Sequence, residues 1–245
     1  MSSIKISDRL EKVAKCVNKG NRVADIGCDH AYTAIYMIKN NIAKNVIAMD
    51  INKGPLHKAD NNIKEYGCEK QIETRLSDGA KELQVGEVDT ILISGMGGRL
   101  TKKILEESLD VIKSSSQLVL QPQSEIYIVR QFLHEIGFKI ECEDMLIDDG
   151  KYYVIINAIN EYTKNKITDI SRENNKELFD KYGQYLLENK NKILQSYLLK
   201  ELNKTNDITT ELEIKNNDYN RLTQRINELK REKQLISEAL KYYEN

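Results

Sequence analysis

The sequence predicts an α/β fold with a mostly parallel, doubly wound sheet and an antiparallel edge hairpin, followed by an α-helical coiled-coil hairpin. Through the first half of the chain, short β-branched apolar runs alternate with helical stretches, as expected for strands buried on both faces of a sheet. After about Lys164, Gly and Pro vanish apart from Gly183, and Asn, Lys, Glu and Leu dominate. We therefore expect an α/β domain over residues 1–160 and a helical hairpin over residues 161–245.

The α/β half contains enough alternating elements for a full sheet. An amphipathic helix is predicted at Ser7–Val17, with Leu10, Val13 and Ala14 on one face. The predicted parallel strands are Arg22–Ile26, Asn45–Ile51, Gln71–Leu76, Val88–Ser94 and Gln117–Gln121. The predicted helices between them are Tyr32–Lys39, Lys53–Tyr66, Leu100–Ile112 and Glu125–Glu135. Because the Gln71–Leu76 run is the weakest, we expect this strand nearer an edge.

Two further apolar runs close the sheet. They are FKIECEDMLI and YYVIINAI, and the turn sequence from Asp148 to Lys151 joins them. This pattern is typical of an antiparallel hairpin. Repeated βα units followed by such a hairpin are the outline of the class I methyltransferase fold.

The C-terminal region carries a heptad pattern. Apolar residues at alternating spacings of three and four, interrupted only by Lys233, are Tyr219, Leu222, Ile226, Leu229, Ile236, Leu240 and Tyr243. An earlier stripe consists of Leu178, Tyr182, Leu186, Ile193 and Tyr197. We predict a break at Asn203–Asp207, with Thr209 or Thr210 capping the second helix. A solvated appendage, a dimerisation device and an RNA clamp all remain open for this region.

Composition argues against several classes of protein and site. The net charge is −1, so any polyanion must be bound by a local patch. The four cysteines, Cys16, Cys28, Cys68 and Cys142, are scattered without a C-x-x-C pair, which argues against a zinc site and a disulfide framework. No apolar run is long enough to span a membrane, and the N-terminal residues do not resemble a signal peptide. We expect a cytoplasmic monomer without a metal, although dimerisation through the coiled coil stays open.

Four loops follow successive strands and point to a nucleoside site, because ligands of doubly wound sheets bind at the carboxyl ends of the strands. The first loop runs from Asp25 to Tyr32 and contains Gly27 without the later glycines of a dinucleotide fingerprint. The second supplies Asp50, whose carboxylate can accept hydrogen bonds from ribose hydroxyls. The third is Ser77-Asp78-Gly79, which can read an adenine amino group. The fourth, residues 94–98, lets the chain pass close to a transferring group.

The motifs of the α/β half resemble one family. SDRLEKVA, VADIGCDHAY, SDGA, SGMGG, LQPQ and DDGKYY closely resemble segments of the bacterial tRNA (adenine-N1)-methyltransferases that modify adenine 22 in the tRNA D-arm. The resemblance extends from about Ile6 to Ile159. It implies S-adenosyl-L-methionine (SAM) as methyl donor and tRNA as acceptor.

The resemblance also implies site residues. By motif match the SAM contacts are Arg9, Asp25, Gly27, Asp29, His30, Asp50, Asp78, Gly79, Gly95 and Gly97, and the same loops add Cys28, Ile51, Ser94 and Met96. This sequence departs from the family in three positions. Asp50 stands where glutamate is common, Ser77 replaces a glycine, and Gln123 replaces an asparagine. The last difference bears on how the acceptor base is held.

The expected chemistry is an in-line displacement, in which alignment of the nucleophile with the methyl is the main task. Asp29 is the candidate catalytic carboxylate, with Tyr32 and His30 lining the same mouth; the alternative is that Asp29 only caps the following helix. The candidates for receiving the flipped base are Gln121, Pro122, Gln123 and Tyr152. Arg99, Lys102 and Lys103 are the candidates for phosphate contacts. A methyltransferase for a small molecule or protein, and a non-catalytic scaffold, are the competing functions.

Overall fold

The structure is a computed structural model that describes residues 4–161, 175–214 and 219–244. The chain divides into two compact units, residues 1–167 and 168–245. The border between these units lies outside the described residues, and the domain boundary at residues 160 and 161 stays a prediction. Within the described ranges, no helix is long and apolar enough to cross a membrane.

The first unit is built on a seven-stranded sheet with the order β3-β2-β1-β4-β5-β7-β6. Its strands are β1 (Arg22–Ile26), β2 (Asn45–Asp50), β3 (Ile72–Leu76), β4 (Thr90–Met96), β5 (Gln117–Pro122), β6 (Phe138–Asp148) and β7 (Lys151–Asn160). Strands β1 to β5 pair in parallel, whereas β7 is antiparallel to both β5 and β6. This confirms the predicted sheet, its terminal hairpin and the edge position of the Gln71–Leu76 run.

The described part of this unit, residues 4–161, contains six helices: α1 (Asp8–Lys15), α2 (Tyr32–Lys39), α3 (Lys53–Glu65), α4 (Gly98–Glu107), α5 (Leu109–Ser114) and α6 (Ile126–Glu135). The Ser7 hydroxyl accepts a hydrogen bond from the amide of Leu10 and so caps α1. The predicted helix Leu100–Ile112 is two helices, because the backbone leaves the helical region at Ser108 (φ −130°, ψ 38°).

Alternation along the strands assigns the helices to two faces of the sheet. Leu92 and Val119 join a core with residues of α1, α2 and α3. Because successive strand side chains point to opposite faces, Ile91, Ile93 and Leu118 face the other side, and all three are fully buried. Helices α4 and α6 pack against each other and against β4 and β6 respectively. The sheet is therefore covered on both faces, and its carboxyl edge lies between the two layers of helices.

The second unit contains α7 (Lys176–Tyr182), α8 (Gln184–Glu188), α9 (Lys192–Ile214), α10 (Tyr219–Leu240) and a 3₁₀ turn at Lys241–Tyr243. Helices α9 and α10 pack against each other, and Leu229 and Ile236 of the predicted seam are buried. The predicted break at Asn203–Asp207 is wrong, because α9 continues through it and buries Thr205. The early stripe is also not one helix, since Gly183 (φ +86°) ends α7. The coiled-coil geometry stays a prediction.

Candidate functional site

The candidate site lies where the order of strands reverses. The chain runs outward from β1 through β2 to β3 and then returns to place β4 on the other side of β1. Crevices at this kind of switch, outside the carboxyl ends of the strands, are where doubly wound sheets bind ligands. All four predicted loops follow strands β1 to β4 at this edge.

Gly27 lets the first loop fold back over β2. Its amide and that of Cys28 both donate to the carbonyl of Met49, at 2.8 and 2.9 Å. Gly27 has φ +75°, and a Cβ built there would lie 2.3 Å from Cε of Met96 in the fourth loop. The first and fourth loops are therefore in close contact, and a side chain at position 27 would displace the end of Met96.

Asp25, at the end of β1, is buried to 3% exposure. Its Oδ2 has no hydrogen-bond partner among the described residues. Burial raises the pKa of this carboxyl to about 7, because desolvation disfavours the charged form. A buried carboxylate oxygen without a donor is a place for a ligand that brings one.

The residues after Gly27 adopt strained backbone conformations. Asp29 (φ +51°) and Ala31 (φ +59°) are both left-handed. The Asp29 carboxylate lies 3.3 Å from Nε2 of His30 and is 75% exposed, and the rings of His30 and Tyr32 meet edge to face at 6.1 Å. The N-cap of α2 is Ala31, which makes no side-chain capping hydrogen bond. Asp29 is therefore not the N-cap residue, and it lies with His30 and Tyr32 at the loop.

The second and third loops present acidic residues that are already engaged. Oδ1 of Asp50 accepts from the Asn52 amide at 2.8 Å, and the neighbouring Ile51 is 60% exposed. Asp78 pairs with Lys81 at 2.5 Å, and this contact lowers the pKa of the Asp78 carboxyl. The Ser77 hydroxyl donates to the carbonyl of Gly79 and fixes the turn. A ligand that reaches Asp78 meets a carboxylate already neutralised by a lysine.

The fourth loop begins with a bulge in β4. The register to β5 shifts between Ser94 and Met96, and the intervening Gly95 has φ +82°. The carbonyl of Met96 accepts from the amide of Gln123 at 2.8 Å. Gly97 then forms the N-cap of α4. A bulge of this kind re-aims the end of a strand, and here it joins the glycine loop to the Gln-Pro-Gln segment after β5.

Arg9 connects α1 to the strand ends. Its Nη1 donates to Oε1 of Gln121 at 2.6 Å and to Oγ of Ser94 at 3.2 Å. The guanidinium carbon lies 5.3 Å from the ring centroid of Tyr153, and Nε is 3.8 Å from Oδ2 of Asp148. Arginine has only donors, so the oxygen of the Gln121 amide must face it.

Gln121 itself is fully buried, and its Nε2 has no hydrogen-bond partner within residues 4–161. By strand register and the shared core, Asp25, Ser94 and Gln121 lie on the sheet face that α1 covers. The edge of this face therefore offers one buried acceptor oxygen, on Asp25, and one buried donor nitrogen, on Gln121.

The remaining predicted base-binding residues are not all on one face. Pro122 is buried and Gln123 is exposed, with its Nε2 3.6 Å from where a Gly95 Cβ would stand. Tyr152 pairs with Ile147 on the edge hairpin. Since side chains alternate along β7, Tyr152 faces away from Arg9 and it is Tyr153 that contacts it. Sequence reasoning missed Tyr153 and Asp148, although the DDGKYY segment contains both.

The predicted phosphate ligands each have a partner in the structure. Arg99 pairs with Glu125 at 2.6 Å, and Lys103 lies 3.7 Å from Glu107. The Lys102 ammonium stands 5.3 Å from the centroid of the Phe132 ring. They lie on α4, on the side of the sheet opposite Arg9. Among the described residues, no group of three or more His, Cys, Asp or Glu could hold a metal ion.

Comparison with known proteins gives consistent matches. The model of a methyltransferase domain family matches residues 6–156. The tRNA (adenine(22)-N(1))-methyltransferase of Bacillus subtilis (strain 168) is 36% identical over 158 residues, and the chain spans 66% of its length, with 64% of this chain aligned.

Solved structures match over nearly the whole chain. Streptococcus pneumoniae Sp1610 in complex with SAM is 30% identical, with a TM-score of 0.79 over 96% of this chain and 100% of that one. The complex of M. capricolum TrmK with S-adenosyl-homocysteine is 28% identical, with a TM-score of 0.73 over 94% of this chain and 99% of that one.

Proposed function

The chain belongs to the methyltransferase domain family and, within it, to the tRNA (adenine(22)-N(1))-methyltransferases, and on this basis we propose that it transfers a methyl group from SAM to N1 of adenine 22 in tRNA. The structural observation that supports a SAM site is the Arg9–Gln121–Ser94 cluster beside the bulged glycine loop. It brings together α1, β4 and β5, which the sequence separates widely.

Two buried polar atoms without hydrogen-bond partners in the described chain match the polar groups of SAM. The methionine part of SAM carries both an ammonium and a carboxylate. Oδ2 of Asp25 is a buried acceptor and Nε2 of Gln121 a buried donor, each lacking a protein partner in the described chain. We propose that Asp25, Arg9 and Gln121 hold this zwitterionic end. The glycines at 27 and 95 let the backbone approach closely.

The other cofactor contacts follow the loops. We propose that Asp50 holds the ribose hydroxyls and that Asp78 and Gly79, with the exposed Ile51, surround the adenine. The remaining residues of the proposed SAM site are assigned from their place in the first and fourth loops: Cys28, His30, Met96 and Gly97. The support for these assignments is the convergence of the four loops at one edge of the sheet.

The reaction needs alignment more than acid–base chemistry. Bound SAM supplies an electrophilic methyl on a sulfonium. Adenine N1 attacks with its own lone pair, so the protein's task is to hold the base in line. Gln123 lies beside Gly95, and we propose that it and Pro122 receive the flipped adenine. Tyr152 contributes only if the base approaches from the α4–α6 face.

Methylation at N1 leaves the adenine cationic, so a carboxylate near it is favourable. We propose that Asp29 stabilises this charge or accepts a proton from N6. Its side chain is 75% exposed and sits beside His30, and Tyr32 is 39% exposed. A carboxylate in this position is accessible to an incoming base.

The second unit is proposed to hold tRNA outside the D-arm, and the chain to act as a monomer. Exposed lysines on or beside α9 include Lys190, Lys192 and Lys204. Deletion of the residues after Glu161 should raise the apparent Kd for tRNA and spare SAM binding. Unchanged tRNA affinity would remove this role, and a dimer in sedimentation would favour the alternative of a dimerisation device.

The test of the proposed activity is transfer of tritium from labelled SAM to unmodified tRNA transcripts. A transcript with guanine in place of adenine 22 is the matched control. Label that enters the first transcript and not the second supports both reaction and target. Label in both transcripts would mean that the methylated nucleotide is not adenine 22. If protein that binds SAM labels neither transcript, the proposal is contradicted.

A further inference from the structure

Two large apolar side chains lie exposed beside the candidate site without a role in the proposed reaction. Leu100, in the first turn of α4, is 49% exposed, and Tyr127, in the first turn of α6, is 43% exposed. Most other large apolar side chains of α6 are buried, among them Val129 and Leu133. Tyrosine is enriched at interfaces, so an exposed tyrosine at the start of this helix suggests contact with a partner.

The starts of α4 and α6 are held rigidly together. The amide of Gly98 donates to the carbonyl of Ser124 at 2.9 Å. A Cβ at Gly98 would lie 2.5 Å from the carbonyl oxygens of Ser124 and Glu125, so the two backbones touch. Arg99 and Tyr127 follow these touching backbones on the two helices, and Tyr127 is close enough to interact electrostatically with Arg99. We call Arg99 and Tyr127, with the exposed Leu100 that follows Arg99 in the chain, the Arg99–Tyr127 surface.

On this surface, the guanidinium of Arg99 forms an ion pair with the carboxylate of Glu125. Its backbone is left-handed (φ +49°), and its carboxylate contacts Nε of Arg99 at 2.6 Å instead of capping α6. This carboxylate raises the pKa of Arg99. The Arg99 side chain is nevertheless 76% exposed. The guanidinium group matches the geometry of both carboxylates and phosphates. A phosphate can therefore replace the Glu125 carboxylate on this exposed side chain.

The location of the Arg99–Tyr127 surface beside the candidate site indicates which class of partner it binds. Helices α4 and α6 begin directly after β4 and β5, whose ends form the glycine loop and the Gln-Pro-Gln segment. Lys102 and Lys103 extend the positive charge along α4. An aromatic ring next to a guanidinium matches a nucleotide, which offers a flat base and a phosphate.

We propose that the Arg99–Tyr127 surface binds a nucleotide of the tRNA that flanks the methylated adenine, with the base stacked on Tyr127 and a phosphate on Arg99, and that Glu125 competes with this phosphate. The inference rests on the proposed function, since it assumes a tRNA substrate. It assigns Tyr127 as a positioning residue and gives Glu125 a role that weakens substrate binding.

The first test compares Tyr127→Ala with Tyr127→Phe in methyl transfer to the adenine-22 transcript. Stacking needs the ring and not the hydroxyl, so Tyr127→Ala should raise the KM for tRNA about tenfold, and Tyr127→Phe should leave it unchanged. The Kd for SAM should stay the same in both variants. Equal KM values for all three proteins would overturn the inference.

The second test concerns the competition at Arg99. Glu125→Gln keeps the shape of the side chain and removes the competing charge, so the KM for tRNA should fall roughly two- to fivefold. Arg99→Ala should raise KM and reduce the slope of log KM against log salt by about 1. Asp89→Asn is the matched control, because it removes a carboxylate from Arg22 (2.8 Å) at the opposite edge of the sheet.

Failure of this inference differs from failure of the proposed function. If the unaltered protein does not methylate the transcript, the tRNA substrate is wrong. If it does, and Glu125→Gln behaves like Asp89→Asn or raises KM, the surface does not bind a nucleotide. A protein partner as occupant would leave the kinetics with pure tRNA unchanged in every variant, and this result also overturns the inference.

Discussion

Arg9 and Gln121 are joined by a hydrogen bond of 2.6 Å between Nη1 and Oε1. The contact ties the first helix of the chain to the end of β5 and fixes the direction of the Gln121 amide. Because Arg9 also lies against the ring of Tyr153, it connects α1, the central strands and the edge hairpin. We therefore expect this residue to matter for the site more than for the fold.

Replacing Arg9 tests that expectation. Arg9→Lys keeps the charge and loses the planar fork that reaches Ser94 and Gln121 together. The affinity for SAM should fall about tenfold, as measured by calorimetry. Lys12→Ala on the same helix removes only an exposed ion pair to Asp144 (2.8 Å) and should not change SAM affinity. Equal effects of the two substitutions would mean that α1 acts only through stability.

Alanine substitutions at Gly27 and Gly86 distinguish the effect of backbone strain from the effect of a contact with Met96. Both have a left-handed φ, +75° and +76°, but a Cβ would meet Met96 at Gly27 and nothing within 4 Å at Gly86. Each Gly→Ala substitution should cost about 1–2 kcal/mol of unfolding free energy, measured by denaturant titration, because the end of Met96 can move. Only Gly27→Ala should lose SAM affinity. Normal SAM binding by Gly27→Ala would show that the position of Met96 is unimportant.

Asp25 makes stability depend on pH in an unusual direction. Its folded pKa is about 7, against an ordinary 3.8, so between these values the folded protein holds a proton that the unfolded chain has released. The free energy of unfolding therefore decreases as pH rises from about 4 to about 7, by roughly 1.4 kcal/mol for each step of one in pH. Asp25→Asn should raise the Tm of the SAM-free protein at pH 8 by more than at pH 5.

The control for this pH dependence is Asp89, whose pKa is lowered by its hydrogen bond to Arg22. Asp89→Asn should lower Tm at pH 8, the opposite sign. If Asp25→Asn destabilised the protein equally at both pH values, the carboxyl would have to be charged and satisfied in the folded state.

Asp29 can be tested against a residue with the same backbone. Asp29 (φ +51°) and Asp149 (φ +47°) are both left-handed, so replacing either with Ala introduces similar strain. Asp29→Ala should lower kcat about a hundredfold, measured in single-turnover transfer, with the Kd for SAM kept. Asp149→Ala should leave kcat unchanged. Retained turnover in Asp29→Ala would remove the catalytic role.

Much of the fold follows from local sequence, because buried parallel strands need continuous apolar runs. The bounds of β1 and α2 were predicted to the residue, and the hairpin was indicated by Asp149 and Gly150 between two runs. Ser108 was missed because it interrupts a helical pattern without glycine or proline. Asn203–Asp207 was misread as a break, because the packing of α9 overrides the weak helix propensity of these residues.

The site was predictable only in part. Residues that directly follow strands, such as Asp25 and Asp50, are identified by the rule that strand ends converge. Contacts between distant segments carry no such signal, and the Arg9–Tyr153 and Arg99–Glu125 contacts depend on how helices seat on the sheet. Tyr152 and Tyr153 illustrate the limit, since one residue of register decides which of them faces Arg9.

The contact at Gly98 has a mechanical consequence. The backbone of Gly98 lies against the carbonyls of Ser124 and Glu125, and the Met96 carbonyl binds the amide of Gln123. The glycine loop after β4 and the Gln-Pro-Gln segment after β5 are thus held together at two points. A movement of one segment therefore moves the other, and under the proposed function an adenine that displaced Gln123 would also displace the backbone of the glycine loop.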